Sequence, residues 1–144
     1  MKLSTRTRYA MRVILELAEN YGKGPVQTRM IAKNQEISIK YLEQLMATMK
    51  SAGLIRSQRG AKGGYILAQP PEKIKLSDVF DAFEGPVVTV ECVANDNYCT
   101  RAADCIARQV WCEVQRSIKK VLESITLKDA LDKARTIRST DYQI

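Results

Sequence analysis

Histidine is absent from the 144 residues. That removes Ser–His–Asp and Cys–His nucleophile pairs, imidazole acid–base chemistry and every His-ligated metal site. No apolar run approaches the ~18 residues of a membrane span. The apolar stretch Ala10–Ala18 is broken by Arg12 and Glu16 and does not read as a signal peptide. A cytoplasmic protein with reduced thiols is expected. Paired C-x2-C knuckles are missing too, which counts against a structural zinc site and a thiol redox motif. What remains is ordinary in bulk: 45% apolar and 27% charged residues, a globular balance in a chain of one-domain length.

The charge is unevenly placed. Residues 1–70 hold 12 Lys/Arg and 4 Asp/Glu, whereas residues 71–144 hold 11 and 12. A basic half joined to a neutral half suits a polyanion-binding module with something appended. The basic residues are scattered rather than blocked, which disfavours an anionic membrane surface.

Hydrophobic spacing predicts a mainly α fold with one small hairpin. A first helix spans 5–21, capped by Ser4 and buried through Ala10, Val13, Ile14, Leu17, Ala18 and Tyr21. A second runs over Thr28–Asn34 and a third over Ser38–Ala52, with Ser38 at its N-cap and Gly53 beyond its end. Two apolar pieces, Leu54–Ile55 and Tyr65–Leu67, flank a basic glycine-rich segment and read as a hairpin. A helix over Ser77–Phe83, an irregular stretch over 87–101 and a long helix over Ala103–Ser124 follow. A short last helix starts at Thr126, whose spacing to Asp129 is that of a capping box. The expected divisions are 1–85, 86–102, 103–135 and a tail over 136–144.

Ile31, Ala32, Ile37, Leu42 and Leu45 have the chemistry of a helix-turn-helix: a small residue at the crossing, a plug in the turn and two anchors behind the second helix. Periodicity then places Tyr41, Gln44, Thr48 and Ser51 on the opposite face, with Lys40 alongside. That polar face suits base edges in a major groove. A following hairpin with Arg59 and Lys62 near its tip completes the layout of a winged helix, with Arg59 suited to a minor groove and Lys62 and Arg56 to phosphates. A nucleotide-cradling loop is excluded, because Lys62 precedes Gly63 rather than Ser or Thr and the segment leads into a strand.

All four cysteines fall between 92 and 112, spaced C-x6-C-x5-C-x6-C. Clustered thiols in a reducing compartment favour metal or redox chemistry, and iron–sulfur clusters tolerate wide spacing. On one continuous helix Cys105 and Cys112 would lie about 10.5 Å apart along the axis. Either the helix starts after Cys105 or Cys112 is not a ligand; the second is preferred, leaving Cys92, Cys99 and Cys105 with an unassigned fourth ligand. Arg108 stands one turn beyond Cys105 but stays protonated and cannot coordinate. Thiol oxidation or zinc is the alternative switch. Ala107, Trp111, Val114, Ile118, Val121 and Ile125 form a heptad-like stripe suited to a two-fold helix pair, and so to a homodimer on a palindromic operator.

Several stretches resemble the IscR-like (iron–sulfur cluster regulator) family of bacterial winged-helix transcription regulators, relatives of NsrR, RirA and CymR. They are Met1-Lys-Leu-Ser-Thr-Arg-Thr-Arg-Tyr-Ala10, Ile37-Ser-Ile-Lys-Tyr-Leu-Glu-Gln-Leu45, Ile55-Arg-Ser-Gln-Arg-Gly-Ala-Lys-Gly-Gly-Tyr65, three of the cysteines, Trp111 and Ser124-Ile-Thr-Leu127. The resemblance covers about residues 1–131. It implies a homodimeric DNA-binding regulator, usually a repressor and not an enzyme, holding a 2Fe–2S or in some branches a 4Fe–4S cluster. It implies base reading by Tyr41, Gln44 and Arg59, and operator discrimination by Glu43. The expected DNA-contacting set is Ser38, Lys40, Tyr41, Glu43, Gln44, Arg59 and Lys62. The chain departs from the family at Arg108, where IscR-like sequences carry histidine.

Overall fold

The computed structural model describes residues 2–141. Helix α1 (Thr5–Glu19) begins where the Ser4 hydroxyl accepts the Thr7 backbone N–H, the expected cap. Ala10, Val13, Ile14, Leu17 and Ala18 are buried as their spacing requires. The helix stops before Tyr21, which is 45% exposed rather than buried. Asn20 is the C-cap: its side chain donates to the Glu16 carbonyl at 2.8 Å, and the helix ends two residues early.

Helices α2 (Thr28–Gln35) and α3 (Ile39–Ser51) form the helix-turn-helix. Ile31, Ala32, Leu42, Leu45, Met46 and Met49 share one core with α1, and Ile37 packs half-buried against it. The turn is made by Glu36 in the left-handed region, at φ 56°. There the Ile37 N–H reaches back to the Ala32 carbonyl at 3.0 Å. Glutamate at that position is strained relative to glycine, by about 1 kcal/mol.

Strands β1 (Ile55–Gln58) and β2 (Gly64–Leu67) pair antiparallel, with Ile55 opposite Leu67 and Gln58 opposite Gly64. Both are longer than the expected apolar pieces, because cross-strand pairing extends outward from the buried Ile55–Leu67 pair. Arg56 therefore lies within β1 rather than at the tip. Val26 adds a third backbone: its N–H donates to Tyr65 O at 3.0 Å, and Tyr65 N–H donates to Val26 O at 2.9 Å. A Cβ on Gly64 would stand 2.2 Å from Val26 O. Gly64→Ala must push backbone apart and is expected to cost about 1–3 kcal/mol. Urea unfolding checks this, and an unchanged midpoint would show that the bridge gives way freely.

A 3-10 turn at Pro71–Lys73 leads into α4 (Leu76–Glu84). The Glu84 carboxylate accepts from Ser4 N–H at 2.8 Å and from the Thr7 hydroxyl, joining the end of α4 to the start of α1. Hydrogen bonds from the Thr7 and Ser4 side chains, then the Ser4 backbone, hold that carboxyl below its ordinary pKa. One turn of helix, α5 (Glu91–Ala94), interrupts the stretch expected to be irregular. Then come α6 (Ile106–Ser124) and α7 (Leu127–Asp141).

The last helix is not short, and residues 136–141 continue it rather than forming a tail. Thr126 and Asp129 do cap it reciprocally: Thr126 N–H donates to Asp129 Oδ2 at 2.9 Å, and Asp129 N–H to Thr126 Oγ1 at 3.1 Å. What lengthens it is tertiary. Leu127 and Leu131 are buried in the same core as α1, and α7 packs along α1. The α6–α7 junction is pinned by Leu76 N–H to Ile125 O and Leu127 N–H to Ile74 O, both 2.9 Å. The result is a mainly helical winged helix-turn-helix with one two-stranded wing and a C-terminal helix pair folded onto it. No helix among the described residues is long and apolar enough to cross a membrane.

Candidate nucleic-acid interface and cysteine loop

Helix α3 buries Leu42, Leu45, Met46 and Met49, so its outward face is fixed. That face carries Lys40, Glu43, Gln44, Ala47 and Ser51, all exposed. It is rotated slightly from the expected one. Tyr41 is half-buried, edge-on to Tyr9 with ring centroids 5.9 Å apart. Thr48 is half-buried too, its hydroxyl accepting from Arg6 Nη2 at 3.2 Å. Both sit at the seam with α1 rather than at the crest. The Ser38 hydroxyl accepts the Tyr41 N–H at 3.1 Å, so its first duty is capping α3.

The wing presents Arg59 and Lys62, both exposed beyond the ends of β1 and β2. Lys50 Nζ donates to Ser57 Oγ at 3.1 Å and ties the end of α3 to β1. Arg56 Nη2 donates to Ala68 O at 3.3 Å, which fixes that guanidinium along the hairpin. Arg6 was not singled out from the sequence. Its guanidinium lies 5.8 Å from the Phe83 ring and bonds to Thr48, so it borders the recognition helix. The only sequence signal was the basic start of the chain, read as bulk charge. Glu16, buried on α1, accepts from Asn34 Nδ2 at 2.6 Å and Gln35 Nε2 at 2.5 Å, and Arg12 Nε donates to Gln35 Oε1 at 2.9 Å. These bonds hold the end of α2 against α1 and so fix the pose of the motif.

The thiols belong to α5, its following loop and α6; α5 packs on α6, which also contacts α4. Cys92 is on α5, Cys99 in the following loop, Cys105 at the N-cap of α6 and Cys112 within α6; all four are half-buried free thiols. Helix α6 starts at Ile106, after Cys105 and later than the expected Ala103. Cys105 nevertheless caps that helix, its carbonyl accepting the Gln109 N–H at 3.4 Å, so it still stands about 10 Å along the axis from Cys112. Arg108 explains the late start. Its Nε donates to Cys92 O at 2.7 Å, its Nη1 to Ala102 O at 3.5 Å and its Nη2 to the Asp96 carboxylate. The guanidinium engages loop carbonyls ahead of the helix and gathers α5 and the loop onto α6. Three thiols are the right donors for a thiolate-held cluster. Among the described residues, however, no three Cys, Asp or Glu side chains converge as a metal site.

The expected stripe on α6 splits between two faces. Ile118 and Ile125 are half-buried, on the side that packs toward α4. Ala107, Trp111, Val114 and Val121 are exposed, and so are their neighbours Ile106, at 78%, and Val110. Thr89 N–H donates to Gln115 Oε1 at 3.1 Å and helps settle which way the helix is turned.

Residues 3–133 match the Rrf2 family, described as iron-dependent transcriptional regulators. The chain belongs to that family. Among its Rrf2-family relatives is CymR of Bacillus subtilis, 37% identical over 129 residues, or 90% of this chain and 88% of CymR. The protein Rrf2 of Nitratidesulfovibrio vulgaris is 40% identical over 131 residues, 91% of this chain and 87% of that one. The solved structure of CymR, the global cysteine regulator of B. subtilis, superposes with a TM-score of 0.80 at 36% identity, covering 92% of this chain and 98% of that one. The structure of IscR from T. potens gives 0.75 at 40% identity, covering 93% and 88%. This Rrf2-family chain is thus a helix-turn-helix transcriptional regulator, and its relatives are named as regulators rather than enzymes.

Proposed function

We propose that this regulator binds a palindromic double-stranded DNA operator as a homodimer, and that an iron–sulfur cluster held by Cys92, Cys99 and Cys105 controls the binding. The observation that carries this reading is the presence of three half-buried thiols in the segment that joins the winged helix-turn-helix, with its polar recognition helix and basic wing, to the helix α6 whose outer face is apolar. Lys40, Glu43 and Gln44 face outward for base edges, while Arg59, Lys62 and Arg6 supply cationic contacts on either side. Ser38 and Tyr41 position the helix and lie at the edge of the contact surface. The exposed stripe Ile106, Val110, Val114 and Val121 supplies the seam with a second copy. When bound, a cluster would supply a one-electron redox centre. A 2Fe–2S form is favoured, and iron and sulfide stoichiometry distinguishes it from a 4Fe–4S form.

Anaerobic purification followed by iron, sulfide and zinc analysis tests the cluster. Equal iron and sulfide with a visible chromophore is the expected result, and Cys92→Ala should abolish both while leaving the helical content intact. An unfolded Cys92→Ala protein would point to a structural metal.

Thiol oxidation is the second reading, favoured by the lack of a converged site and by Arg108, whose cationic group cannot coordinate. A colourless protein that stays iron-free after reconstitution, with DNA affinity that changes on mild oxidation, establishes it. Zinc in place of iron would mark a metal switch of another kind.

A further inference from the structure

The first turn of α3 holds one outward side chain that cannot hydrogen-bond. Ile39, the first residue of the helix, is 45% exposed and is not part of the buried core. Its neighbours are otherwise committed. The Ser38 hydroxyl caps the helix at the Tyr41 N–H, Tyr41 leans edge-on against Tyr9, and Leu42 is fully buried. The free side chains of this turn are therefore Ile39, Lys40, Glu43 and Gln44. In helix-turn-helix complexes the N-terminal residues of the second helix reach the base edges. The thymine C5-methyl is the apolar group that the major groove offers there. Ile39 has no capping role, and Ile37 already plugs the turn.

We infer that Ile39 is a specificity-determining residue that packs on a thymine C5-methyl in each half of the operator. This rests on the DNA-binding reading above and adds a base preference to it. Lys40, Glu43 and Gln44 read polar edges, while Ile39 reads the methyl beside them. It favours thymine over cytosine or uracil at one position without any hydrogen bond.

The test uses the full-length protein. High-affinity duplexes are selected from a random-sequence pool, and each thymine in the selected site is replaced in turn by deoxyuridine. That change removes one methyl and keeps pairing. Loss of about fourfold in affinity is expected at one thymine per half-site, the worth of burying one methyl. The Ile39→Ala protein should bind thymine and deoxyuridine versions of that site alike, and Ile39→Val should keep part of the preference. Ile39 is exposed, so Ile39→Ala should also melt as the wild type does. A methyl effect that persists unchanged in Ile39→Ala, or none at any thymine, overturns the inference while leaving DNA binding intact. Failure to select any site overturns the DNA-binding reading and this one with it.

Discussion

Raising salt from ~50 to ~200 mM is expected to weaken the protein–DNA complex by on the order of 10³-fold, the loss typical of several phosphate contacts. The physical reason is counterion release. Arg6, Arg59, Lys62 and Lys40 are exposed around α3 and the wing, and the proposed homodimer would double the set. Fluorescence anisotropy over a salt series gives the slope directly. The slope should fall by about one phosphate per half-site when Lys62 is changed to Ala. A nearly flat dependence would mean that these cations do not meet the backbone and would move the interface elsewhere.

Leu42→Ala is expected to remove about 2–5 kcal/mol of stability. Leu42 is fully buried, and so are Leu45, Met46 and Met49 around it. Deleting its side chain leaves a cavity where α3 is backed by α1 and α2. That is a large part of the stability of a domain this size. Equilibrium urea unfolding measures it. A shift below about 1 kcal/mol would mean that the flexible methionines collapse into the space. In that case α3 would be expected to tilt and the protein to lose operator affinity instead.

The helix-turn-helix was legible because it rests on short-range chemistry. Ile31, Ala32, Leu42 and Leu45 repeat at helical spacing, and Ser38 caps where a cap is needed. The wing was legible because Ile55 and Leu67 flank a glycine-rich basic turn. Other features depended on partners far away in sequence. Nothing near Thr126 predicts a 15-residue α7; its length follows from Leu127 and Leu131 docking on α1. Glu36 in a left-handed turn carries no local glycine signal. Tyr21 was misread, and Ile118 and Ile125 of the α6 stripe turn inward, because spacing gives a stripe but not the direction in which each part of it faces. The late start of α6 was hidden for a similar reason: a protonated arginine that could not be a ligand turned out to organise the loop through backbone carbonyls.

Helix α6 is held at both ends by different means. Its C-terminal end is fixed to the DNA-binding body by the paired backbone of Ile74, Leu76, Ile125 and Leu127. Its N-terminal end is tied to the cysteine loop through Arg108. A helix of 19 residues is about 28 Å long, so a tilt of about 5° about the fixed end moves the other by about 2.5 Å. The helix is in effect a lever arm with its fulcrum beside the winged domain, and in the proposed homodimer a small rearrangement among the thiols would alter the separation of the two recognition helices.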